Sequence, residues 1–93
     1  MKTETFTDAF DALADTPAEA ANLKARADLM TAIRARVKAW GLTDGEAAKR
    51  VGLTRPRLND LLNGKIDKFS LDALVNVATS AGFVLHIELA EVA

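Results

Sequence analysis

The stretch LTDGEAAKRVGLTRPRLNDLLNGK, residues 42–65, decides the fold. Thr43 followed by Glu46 makes a capping box, in which a hydroxyl and a carboxylate each satisfy a backbone N–H at a helix start. The box predicts a helix over 44–51, which Gly52 ends. Thr54 caps a second helix over 55–63, and Gly64 supplies the left-handed residue that closes it. Small Ala47 and Ala48 stand where the second helix must cross close to the first, and glycine permits the sharp turn between them. Leu58 and Leu61 face inward, which leaves Arg55, Arg57, Asn59 and Asp60 on the outer, N-terminal part of the second helix.

Upstream, Thr16, Pro17 and Glu19 combine a capping box with proline at the first helical position. Leu23, Ala27, Met30, Ile33, Val37 and Trp40 then recur every three or four residues, and no breaker intervenes before Gly41. The pattern predicts one helix over 17–40, roughly 35 Å long, part of which projects from the domain or packs on another chain. A kink near Leu23 that divides it in two is the alternative. Before it, Phe6, Phe10 and Leu13 predict a short amphipathic helix over 7–14, stopped at Asp15-Thr16-Pro17.

Downstream of a loop at 65–68, Ser70 caps a helix over 71–81 that Gly82 ends. Trp40 and Phe69 sit at apolar-periodic or boundary positions and read as core. The tail switches to period two, with Phe83, Leu85, Ile87 and Leu89 on one face, and predicts a strand. One strand cannot satisfy its own backbone, and no second strand pattern exists in the chain. The economical partner is the same strand of another copy, paired in a twofold antiparallel ribbon; addition to a different protein's sheet is the alternative. The expected architecture is mainly α: an N-terminal helical extension over 1–22, a two-helix-motif domain over 23–82, and over 83–93 a C-terminal segment whose β-strand, 83–89, serves dimerisation and is followed by a tail.

Ninety-three residues with 49% apolar and 27% charged side chains suit one globular domain rather than a disordered tail. The absence of cysteine removes a disulfide framework, a thiolate zinc site and a cysteine nucleophile, and fits a reducing cytosol. A single histidine, His86, leaves no His-based metal cluster or relay. No glycine-rich phosphate loop, Ser-His-Asp order or pocketed carboxylate pair is legible, so neither catalysis nor a cofactor is expected. The spacing of Asp8, Asp11 and Asp15 reads as a solvated helix flank. No apolar run reaches the roughly 20 residues of a membrane helix, and no basic-then-apolar leader opens the chain. The expected location is the cytoplasm, in association with the nucleoid.

The net charge of −1 conceals a sharp division. Residues 1–33 carry three bases against six acids, residues 34–68 nine against four, and residues 69–93 none against three. A basic middle between acidic flanks is the footprint of a nucleic-acid surface, provided the bases share a face. The chemistry of the outer helix agrees. An arginine can donate two hydrogen bonds to guanine O6 and N7, which suits Arg55 and Arg57; Asn59 can read adenine the same way, and Pro56 can meet a thymine methyl. Lys49, Lys65, Lys68 and the amides of the Asn63-Gly64 turn suit phosphates, which position without specifying.

Residues 42–65, with Leu-Thr-x-x-Glu-Ala-Ala at the start and Leu-Leu-Asn-Gly-Lys at the end, resemble the Xre/Cro-repressor class of helix-turn-helix proteins. More narrowly, residues 22–30 (NLKARADLM) and 65–74 (KIDKFSLDAL) resemble small bacterial and phage members often encoded beside a RelE/ParE-like toxin. The resemblance covers about residues 6–89. It implies that Thr54 caps a recognition helix whose Arg55, Pro56, Arg57, Asn59 and Asp60 face bases or nearby phosphates. Asp44 stands where the family usually has a phosphate-gripping glutamine; a carboxylate repels phosphate, so that contact passes to Thr43 or the helix N-terminus. A strand takes the place of the fold's usual terminal helix. The implied function is sequence-specific repression by a dimer on a palindromic site of double-stranded DNA. The alternative is an antitoxin that neutralises a RelE/ParE-like toxin and regulates its own operon.

Overall fold

The computed structural model describes residues 16–92. Helix α1 (Pro17–Trp40) is followed by α2 (Asp44–Val51), α3 (Arg55–Leu62), a short 3-10 turn (Ile66–Lys68) and α4 (Leu71–Ser80). Each α-helix starts as its sequence dictates, because a hydroxyl three residues upstream accepts an otherwise orphaned N–H. Thr16 accepts from Glu19, Thr43 from Glu46, Thr54 from Arg57 and Ser70 from Ala73, at 3.1–3.3 Å. The helix expected over 7–14 lies outside the described residues.

Helix α1 is a single run through Leu23, and its 24 residues close at Gly41 in the left-handed conformation, φ 66°. It buries only part of its length: Met30, Ile33 and Val37 form its fully covered stripe. The turn between α2 and α3 ends α2 with two reversed hydrogen bonds, Leu53 N to Ala48 O at 2.9 Å and Gly52 N to Lys49 O at 3.3 Å. Gly52 holds φ 74° there, a conformation costly for any residue with a Cβ.

The core is built where the four helices converge. Ile33 of α1, Leu58 and Leu61 of α3, Leu74 of α4 and Phe69 before it are at most 1% exposed. Ala47 and Ala48 are buried at the α2–α3 crossing, and Trp40 packs against the cluster at its edge. α1 lies chiefly on α4 and α2 on α3.

The C-terminal β-strand expected over 83–89, within the segment 83–93, is corrected: the fold is an all-helical bundle, and none of residues 83–92 belongs to a strand. Phe83 N donates to Ala78 O at 3.0 Å and finishes the end of α4. Beyond it Val84, Leu85, Ile87 and Leu89 are 92%, 47%, 69% and 93% exposed. Period-two alternation favours extended backbone, yet a strand exists only when a neighbouring strand takes up its N–H and C=O groups. Among the described residues there is no such neighbour.

Leu74→Ala is expected to lower unfolding free energy by about 2–5 kcal/mol, since it opens a cavity in a fully covered site. Val84→Ala should change it by less than about 0.5 kcal/mol. Urea denaturation of the two variants measures both, and equal losses would mean that the tail is packed.

Candidate nucleic-acid interface

Helix α3 presents its outer face because its inner one is fixed. With Leu58 and Leu61 sealed in the core, Arg55, Pro56 and Asn59 point outward and are exposed. Thr54 adopts extended backbone, φ −74° and ψ 161°, and its hydroxyl accepts from Arg57 N at 3.3 Å. Proline follows in the first turn, where its missing N–H costs nothing. The Arg55 stem crosses the first turn of α2, with its Cδ 3.8 Å from where a Cβ on Gly45 would stand. Arg55 thus spans both helices of the motif.

Arg57 sits differently. Its Nη1 donates to Lys68 O at 2.7 Å, and its guanidinium lies over the Phe69 ring, 4.2 Å from the centroid. The structure therefore does not bring Arg57 together with Arg55 and Asn59 as a free donor. Asp60 is only 23% exposed and faces Lys65, whose Nζ is 3.7 Å from its Oδ1. Asn63 and Lys68 are exposed beside this pair.

The backbone of the Asn63-Gly64 turn is already used. Asn63 N donates to Asn59 O, Gly64 N to Leu61 O and Lys65 N to Asp60 O, each at 3.0 Å. Phosphate contacts there fall to side chains. The start of α2 is similarly occupied: the Thr43 hydroxyl accepts from Glu46 N at 3.2 Å and donates to Glu46 Oε1 at 3.1 Å. Asp44 and Glu46 both stand in that first turn, so negative charge already occupies the helix end where an anion would bind.

The basic block of the sequence contains two contrasting groups. Arg36, Arg50 and Arg57 lie over Phe83, Trp40 and Phe69, with guanidinium-to-centroid distances of 3.7, 4.1 and 4.2 Å. These cations spend their flat faces on packing. The side chains of Arg55, Lys49 and Lys68 make no hydrogen bond or ion pair among the described residues and remain available to a ligand. Sequence reasoning missed Arg26, which lies in the acidic N-terminal third yet reaches the same turn: its Nη1 donates to Ile66 O at 3.1 Å and Phe69 O at 3.3 Å. Its only sequence signal is Asn22 four residues earlier, whose Oδ1 accepts from Arg26 Nε at 2.7 Å.

Among the described residues no group of His, Asp or Glu could hold a metal ion, and no helix is long and apolar enough to cross a membrane. Residues 12–90 match the family model described as a helix-turn-helix domain. No curated protein matches the chain. The match takes in the capped helix pair, its glycine turn and the helices that brace it on both sides. The chain belongs to this helix-turn-helix family: it is an Xre/Cro-type DNA-binding domain, and members of the family are DNA-binding regulators, not enzymes.

Proposed function

We propose that the protein is a sequence-specific transcriptional repressor that binds a palindromic DNA site as a dimer. The observation that carries this reading is the outward set Arg55, Pro56 and Asn59 on a helix whose other face is locked in the core, with Lys65 and Lys68 beside it. Arg55 and Asn59 have the donor geometry for bases, while the lysines suit phosphates. A second copy is supported by the tail. Phe83 belongs to the bundle, under Arg36, but Leu85, Ile87 and Leu89 leave an apolar row in water. Side-chain burial between two copies would cover it, and a twofold pair matches two half-sites.

One observation favours a second reading, an antitoxin that neutralises a RelE/ParE-like toxin and represses its own operon. Helix α1 runs through 13 residues, Pro17 to Leu29, before its first fully buried side chain, Met30. The exposed residues of that length, among them Ala21, Asn22, Lys24 and Asp28, offer a partner protein a surface outside α3. Co-expression of the full chain with the product of a directly adjacent toxin-like reading frame tests it; absence of both a stable complex and growth rescue would remove this reading.

Two outcomes follow for DNA binding. Arg55→Ala should cost about 1–3 kcal/mol and relax preference at particular base pairs, whereas Lys65→Ala should weaken all sequences evenly and reduce the salt slope by about one unit. Binding titrations over a randomised site, repeated at several salt concentrations, separate the two; an identical, sequence-independent loss would leave only backbone binding. For assembly, Ile87→Asp should convert a dimer to a monomer in light scattering and weaken binding to a two-half-site operator, with half-site affinity unchanged. A wild-type monomer at micromolar concentration would remove the dimer from the proposal.

A further inference from the structure

The 3-10 turn after α3 is held from two sides by arginines that have no other described polar partner besides Asn22. It spans only three residues, Ile66–Lys68, and no side chain caps it. A turn of that kind is weak by itself, because its hydrogen bonds are poorly aligned. Two of its carbonyls and that of Phe69, which follows it, meet guanidinium groups: Ile66 O and Phe69 O accept from Arg26 of α1, and Lys68 O accepts from Arg57 of α3. Asn22 aims Arg26, and the buried Phe69 ring is the platform on which Arg57 lies.

We infer that Arg57, with Arg26, is a positioning residue that fixes the turn carrying Lys65 and Lys68 relative to the outward face of α3, and that Arg57 reads no base. The inference rests on the reading that this face meets DNA. A planar guanidinium can stack on a ring and donate in its own plane at once, which an ammonium cannot do. Arg57 therefore ties the recognition helix to the backbone of the very residue, Lys68, whose side chain is left unpaired for phosphate. Phosphate contacts set the register in which bases are read, so a turn free to shift would blur every base position together.

The test is a double-mutant cycle of Arg57→Ala and Lys68→Ala, read by DNA affinity, salt slope and base preference at each position of the site. If Arg57 acts through Lys68, each single change lowers affinity roughly tenfold and the salt slope by about one unit, and the double change is little worse than either. The order of preference at each base pair is kept under Arg57→Ala. Arg57→Lys restores only part of the loss. Preference lost at one base pair would make Arg57 a reader, additive losses would make it an independent phosphate contact, and complete rescue by lysine would make it a bare charge; each overturns the inference.

Amide exchange in the free protein tests the clamp without DNA and so separates its failure from failure of the DNA reading. Lys68 N donates to Lys65 O at 3.1 Å and Phe69 N to Ile66 O at 3.2 Å, so their protection reports the turn. Arg57→Ala, or Arg57→Met if the alanine variant does not fold, should speed exchange at these two amides and leave α2 unchanged. Unaltered protection at both would overturn the clamp whatever the DNA result.

Discussion

The seating of Leu58 and Leu61 against Ala47 and Ala48 is the contact on which the rest depends. Both leucines are completely enclosed and both alanines nearly so. Two methyl-sized side chains let the α2 and α3 backbones approach closely, and any larger residue there would push the helices apart. Because the inner face of α3 has one way to fit, its outer face has one as well. Arg55, Pro56 and Asn59 are displayed by a rigid element and not by a loop, which lowers the cost of ordering them on a ligand.

The elements legible in the sequence are those specified by contacts within a few residues. The caps at Thr16, Thr43, Thr54 and Ser70 each involve a donor three positions away, and each appears where its spacing indicated. The inward leucines of α3 follow from helical period alone. Arg57 shows where local reasoning ends. Its position on α3 is that of an outward donor, but its partners are 11 and 12 residues further along, at Lys68 O and the Phe69 ring. Arg26 reaches across 40 residues to Ile66 O, a pairing that no periodicity encodes. The tail failed for a different reason. Its alternation is real, yet a strand is a property of two segments, and a sequence pattern describes only one.

The same distinction governs the charge. Counted along the chain, the basic middle looks like one surface; in the fold Arg36 and Arg50 are drawn to different aromatic rings, Phe83 and Trp40, that pack against the core. Their guanidinium faces are taken up by the rings, and Arg36 Nη1 also donates to Ala81 O at 3.3 Å. The positive charge of residues 34–68 still contributes to the local field that attracts a polyanion. Only a subset of those bases is placed to touch one, which makes the electrostatic footprint larger than the contact surface.

No polar or charged residue is fully buried among the described residues, although the Nε of half-buried Arg34 is enclosed without a partner; the core side chains are all apolar. The energy that holds the bundle together is therefore of the kind that added salt leaves intact or strengthens. The energy that would hold it to a nucleic acid is of the opposite kind, since released counterions drive it and salt suppresses it. Folding and release thus answer to different variables. A rise in ionic strength can strip such a protein from its site and leave it folded, ready to search again.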